Sequence, residues 1–297
     1  MDKKKVFSIF KILFGVIVFA LILKYKFDFS VFTKLSFHWQ YLAMMIVVSL
    51  IINVVRAWKW NIILTDVYKQ KFSFSKIFRS TLVGQFFAFF TPSRLGDFIR
   101  AKHVKKELGY KKAISSLVIE RASDVLIMLL FFLYGLLVLK DEILKYISLK
   151  ENIWIFAIII FACILVWVIF HKKIHLFVKE NFQLKHLKKP LFLTKLFLIT
   201  LVVWFLTYVQ FFFASKTLGV NLQLFLVLAI ASIHAIILLL PITINGIGLR
   251  EGSSLILFPL IGITSNVGII LAWLVALNNS LLPAILGYVT MMFKNPK

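Results

Sequence analysis

Acidic residues are scarce in this 297-residue chain: 12 Asp and Glu stand against 35 Lys and Arg, for a net charge of +23 at pH 7. The few carboxylates that lie inside apolar sequence therefore stand out. The single cysteine, Cys163, lies in an apolar run, which excludes a disulfide framework and a cysteine metal cluster. No long hydrophilic segment interrupts the chain, so there is no room for a soluble catalytic domain. A nucleophile elbow and an aspartate-rich diphosphate motif are both missing. The sequence points away from an enzyme and implies no cofactor and no metal. Arginine is also rare, at positions 56, 79, 94, 100, 121 and 250 only, against 29 lysines.

Apolar residues are abundant. They make up 61% of the chain, with 32 phenylalanines and a mean hydropathy of +0.94, where a soluble domain averages about 45–50%. This composition is that of an all-α polytopic membrane protein. The lysines gather in short connectors beside apolar segments, the pattern of positive-inside topology and of attraction to anionic headgroups. The charge therefore indicates membrane lipids as partners and not nucleic acid.

Val6–Leu23 is long enough to span a bilayer, and no small-residue cleavage site follows it, so a retained first helix is expected. Trp39–Val55 is a second span, closed by Arg56-Ala57-Trp58-Lys59-Trp60, which reads as an interfacial anchor. Ile77–Phe90 is apolar but short, with basic flanks on both sides, so a re-entrant segment fits better than a crossing. Ala113–Leu139, Asn152–Phe170, Leu191–Phe213, Leu222–Leu240 and Asn266–Phe293 read as further spans, and Ser253–Ile263 as a short segment. Counting that short segment gives eight passes within an expected seven to eight, with both termini cytoplasmic. The basic connectors Arg56–Lys76, Arg94–Lys112 and Lys172–Lys189 then lie inside.

The chain reads as one integral membrane domain, 1–297, with possible half-repeats 1–150 and 151–297. Pro92 and Pro241 each end an apolar run, and each is followed by glycine and opposite charges. Transporters built of two related halves place broken helices at corresponding positions around a central site. Three constellations carry the candidate chemistry. In Arg94, Gly96, Asp97 and Arg100, the three-residue spacings put the aspartate between two guanidinium groups on one helical face. Glu120, Arg121 and Asp124 lie roughly 10–17 Å into a span, where each charge costs a few kcal/mol unless it faces protein or water. In Asn245, Gly246, Gly248, Arg250 and Glu251, the glycines free backbone N–H groups for an anion. The eight charges in these sets sum to zero, which suits either a headgroup pathway or an internal ion-pair network. Where lysine is the default cation, arginine marks places that need a planar, bidentate fork for phosphate or carboxylate. His234 is the isolated polar residue of most interest.

Four motifs follow in order: Arg56-x-x-x-Trp60, Thr91-Pro92-x-Arg94-x-Gly96-Asp97-x-x-Arg100, Glu120-Arg121-x-x-Asp124 and Pro241-x-x-x-Asn245-Gly246-x-Gly248-x-Arg250-Glu251. Together they resemble the flippase-like family named for the lysylphosphatidylglycerol synthase transmembrane region, with Asp97 where glutamate is commoner. The resemblance implies translocation of a phospholipid or glycolipid across a bacterial or archaeal cytoplasmic membrane, without the aminoacyltransferase domain. It leaves open a separate lipid-modifying enzyme as partner. The alternative is an integral-membrane transferase acting on polyisoprenyl-phosphate sugars, with Glu120 or Asp124 as general base.

Overall fold

The computed structural model describes residues 3–92, 94–146, 189–240 and 242–293, with side chains from residue 13 onward. The expected span Asn152–Phe170, Cys163, Pro241 and nearly all of the connector Lys172–Lys189 lie outside the described residues. Every named element is helical. In the first half these are α1 (Lys3–Tyr25), α2 (Val31–Lys34), α3 (Trp39–Asp66), α4 (Phe74–Phe89), a 3-10 turn (Leu95–Arg100), α5 (Ala101–Leu108), α6 (Tyr110–Val138) and α7 (Lys140–Tyr146). In the second they are α8 (Pro190–Thr217), α9 (Leu224–Leu238), α10 (Leu249–Leu257), a 3-10 turn (Phe258–Ile261), α11 (Ser265–Ala276) and α12 (Leu282–Met292).

Among the described residues, α3, α6, α8 and the continuous Ser265–Met292 are long and apolar enough to cross a membrane. At about 1.5 Å per residue each exceeds the roughly 30 Å hydrocarbon core. Their outward stripes are apolar at helical spacing: Leu126, Leu129, Leu130, Leu133 and Leu137 are exposed on α6, while Glu120, Asp124 and Gly135 of the same helix are buried. The charges face protein and the leucines face outward, as a bilayer requires. This is the all-α polytopic architecture expected from composition.

The helix α4 does not cross. Ser73 caps its start by accepting from the Lys76 N–H, and Pro92 cannot continue a helix. Thr91 Oγ1 donates to the freed carbonyls of Phe87 and Ala88, at 3.2 and 3.3 Å, and accepts the Gly96 N–H at 2.7 Å. Arg94 turns the chain in the left-handed region, with φ 58°. The return leg then runs back along α4. Arg94 meets Gln85, Gly96 lies on the Phe87 carbonyl, and Lys76 pairs with Glu107 at 2.5 Å. At Gly96 a Cβ would strike that carbonyl, so the hairpin closes only on glycine. The re-entrant reading of Ile77–Phe90 corresponds to this hairpin.

A second hairpin stands where the sequence suggested a span and a short crossing. The helix α9 is only 15 residues long, and α10 returns beside it, with Ser253 Oγ 3.0 Å from His234 Nδ1. Between them Asn245, Gly246 and Gly248 all have positive φ. Glu251 accepts the Gly248 N–H at 2.7 Å and so caps α10. Leu222–Leu240 and Ser253–Ile263 correspond to the two legs of this hairpin.

The two hairpin tips meet in an isolated antiparallel bridge, Pro92 with Ile244. Around them the packing is reciprocal: α3 lies on α8, α4 on α12, and α9 on α6. The short helix of each half thus packs on a long helical stretch of the other, α4 on the end of the continuous Ser265–Met292 and α9 on α6. Last, α11 and α12 are joined by a π-helical turn, Leu277–Leu281. It precedes Pro283, whose ring would clash with a carbonyl of a regular helix. Ser49 Oγ donates to the Asn278 carbonyl at 2.6 Å.

Candidate functional site

The bridge between the hairpin tips adjoins a cavity of about 210 Å³. Its wall includes Arg56, Arg94, Arg121, Asp124, Arg250 and His234, with Trp204 and Tyr208 from α8, Asn245 and Gly246 from the second tip, and Asn279 from the π turn. Four of the six arginines in the chain therefore reach one space.

An ionic lattice backs this wall and shares Arg121 and Asp124 with it. Arg100, 1% exposed, donates to Asp97 at 2.9 Å and to Glu120 at 2.7 Å, and its guanidinium stacks 4.8 Å from the Trp60 ring. Arg121 also donates to Asp97 and lies 3.6 Å from Asp124. Lys59, 1% exposed, meets Asp124 at 2.6 Å, and Trp204 Nε1 donates to the same oxygen at 3.0 Å. Trp60 Nε1 donates to Ser116 Oγ at 3.0 Å, which fixes the stacked ring. Buried ion pairs persist only when further hydrogen bonds satisfy them. Here three carboxylates, Asp97, Glu120 and Asp124, neutralise three cations, Lys59, Arg100 and Arg121.

The candidate site residues divide accordingly. Arg94, Arg121, Asp124, Asn245, Gly246 and Arg250 line the cavity. Asp97, Arg100 and Glu120 do not; they are buried behind it and hold the first hairpin to α6. Glu251 is taken by the Gly248 N–H and by Trp273 Nε1, both at 2.7 Å. Gly96 and Gly248 serve close approach: a Cβ on Gly248 would sit 2.9 Å from the Gly15 carbonyl of α1. Pro92 forms the bridge between the tips. None of these residues lines the cavity among the described residues; their contacts hold the hairpins in place.

Two residues of the site escaped the sequence reading. Arg56 and Lys59 look like an interfacial anchor, yet only Trp58 of that group faces outward, at 55% exposed. On α3, Arg56, Lys59, Trp60 and Ile63 share one inward face at helical spacing. The rarity of arginine was a usable signal for Arg56; Lys59 had none, because lysine is everywhere in this chain. Their inclusion changes the charge balance. With Arg56 and Lys59, the network has six cations and four carboxylates and is not neutral. Arg56, Arg94 and Arg250 make no ion pair among the described residues. Arg94 donates to Gln85 and Arg250 donates to the Asn245 carbonyl at 2.6 Å, while Arg56 Nη1 is buried without a partner among the described residues.

Fold and site together define a multi-pass membrane protein with two broken-helix hairpins that meet at a cationic cavity. The sequence model described as "Lysylphosphatidylglycerol synthase TM region" matches residues 8–287, and the chain belongs to that family. It is a membrane domain of a lipid-related family. No curated protein and no solved structure matched the chain.

Proposed function

We propose that this protein translocates a phosphate-bearing lipid across the cytoplasmic membrane, with the cavity between the hairpin tips as its headgroup site. The observation that carries this reading is the set of three guanidinium groups, Arg56, Arg94 and Arg250, that line one membrane-embedded cavity without a carboxylate partner among the described residues. An isolated buried charge is strongly unfavourable, and an anionic headgroup relieves that penalty while it occupies the site. Family membership supports a lipid as the source of the anion. The reciprocal packing of the halves supports a pseudo-symmetric pair in which the two hairpins open alternately to either side. The transferase reading has less support, since Glu120 and Asp124 are both held by cations and neither is free to take a proton.

The test is lipid translocation in proteoliposomes, read as dithionite access to fluorescent phospholipid. Arg94→Ala and Arg250→Ala should each slow translocation about tenfold, the worth of one hydrogen bond to a charged group. Rates equal to wild type in both variants, with normal reconstitution, would remove the proposal.

A further inference from the structure

The unpaired cations of the cavity wall and the lack of an open acid there specify the headgroup further. We infer that the cavity takes a dianionic phosphoryl group without an amine, meaning a phosphomonoester or diphosphate and not a phosphodiester or an aminoacylated headgroup. This rests on the cavity being the cargo site.

Three observations converge. First, the wall carries Arg56, Arg94, Arg121 and Arg250 against one carboxylate, Asp124, and three of these cations, Arg56, Arg94 and Arg250, have no carboxylate partner among the described residues. A monoanion leaves two of those three charges uncompensated; a dianion leaves one.

Second, the unpartnered buried polar atoms of the wall are Arg56 Nη1, Asn279 Nδ2 and the Tyr208 hydroxyl. The first two are donors only, and the third donates as readily as it accepts. These atoms are closed to solvent, so the donors open to a ligand are the guanidinium groups of the wall, which only donate and call for a ligand rich in acceptor oxygens. A phosphomonoester presents three, with a charge of about −1.5 to −2 at pH 7. A phosphodiester has fewer free oxygens and one charge.

Third, no carboxylate among the described residues of the wall is open to receive an ammonium. Asp124 is the only acid there, and Lys59, Arg121 and Trp204 already occupy it. A lysyl headgroup, of the kind the family description names, would place another cation among four guanidinium groups. Like charges set side by side in this way are how a site rejects a ligand.

The purified full-length protein in detergent is titrated by native mass spectrometry and thermal shift. The probes are phosphatidic acid, phosphatidylglycerol, phosphatidylethanolamine and inorganic diphosphate. Phosphatidic acid should bind at least about tenfold more tightly than phosphatidylglycerol, a difference of about 1.4 kcal/mol. The preference should shrink at about pH 5, where the monoester, with its second pKa of about 6, carries one charge. In Arg56→Gln it should fall to a few-fold, and Arg56→Lys should restore part of it. Diphosphate that displaces phosphatidic acid indicates that the phosphoryl group alone suffices. Phosphatidic acid that binds without such competition indicates a lipid-borne phosphate; both outcomes support the dianion. Equal binding of phosphatidylglycerol or phosphatidylethanolamine overturns it. If Arg56→Gln does not fold, the wild-type ratio and its pH dependence decide. The two readings fail separately. Arg94-dependent translocation of phosphatidylglycerol, with no preference for the monoester, defeats only the dianion. Absence of translocation for every lipid defeats the transport reading whatever the order of binding.

Discussion

Lys59 gives the sharpest test of the buried lattice. Its ammonium is 1% exposed and 2.6 Å from Asp124 Oδ1, and the replacement Lys59→Met keeps the apolar stem while removing the charge. Asp124 would then retain Trp204 at 3.0 Å and Arg121 at 3.6 Å. Breaking a buried pair by removing one partner costs about 3–5 kcal/mol. The two surviving partners put the expected loss near the lower end of that range, at about 3 kcal/mol. For a chain of this size that corresponds to a fall of roughly 6–12 °C in apparent melting temperature, at roughly 2–4 °C per kcal/mol. The assay is thermal inactivation in detergent, read as the surviving monodisperse fraction by fluorescence-detected size exclusion. Because such unfolding is commonly irreversible, wild type and variants are heated at one scan rate. The decisive comparison is the double variant Lys59→Met/Asp124→Leu, which removes both charges together. If the pair is a buried unit, the double variant should be more stable than the sum of the single losses predicts, by at least about 1 kcal/mol. Two results would refute the assignment of Lys59 to the lattice. One is additive losses; the other is a Lys59→Met protein that melts within about 2 °C of wild type, a shift worth no more than about 1 kcal/mol.

Other outcomes follow from the same geometry. Arg100→Lys should destabilise the protein by about 2–4 kcal/mol, because an ammonium cannot bridge Asp97 and Glu120 while stacking on Trp60; the melting temperature checks this. Gly96→Ala should disrupt the first hairpin, since its Cβ meets the Phe87 carbonyl, and protease protection at 74–108 should fall. By contrast, Glu107→Gln should change stability by less than about 1 kcal/mol, the usual worth of an exposed pair. The hydrogen bond from Lys76 holds the Glu107 carboxyl below its ordinary range. The small benefit is therefore present near neutral pH and is lost as pH falls through that lowered value. Trp273→Phe removes the indole donor from Glu251 and should loosen the second hairpin, measurable as faster hydrogen exchange at 245–252.

The sequence by itself determined the class of protein, because a bilayer restricts what may lie in it: apolar runs had to be helices, and carboxylates at depth had to face protein. It also located both breaks. Pro92 and the glycines at 246 and 248 impose backbone conformations that no neighbouring residue can override. The scarcity of arginine singled out Arg94, Arg100, Arg121 and Arg250, of which all but Arg100 reach the cavity. Local pattern did not reveal that α9 and α10 form a hairpin, since a 15-residue apolar helix reads much like a short span. Nor did it separate the charges that bind each other from those left open. Asp97 with Arg121, Arg100 with Glu120 and Lys59 with Asp124 are partners 24, 20 and 65 residues apart. Helical spacing reaches only three or four positions, so such pairings exist only once α3, α6 and the first hairpin have packed. Tertiary structure therefore decided the chemistry of the site. It matched the carboxylates to Lys59, Arg100 and Arg121, and it left Arg56, Arg94 and Arg250 facing one cavity without a counter-charge among the described residues.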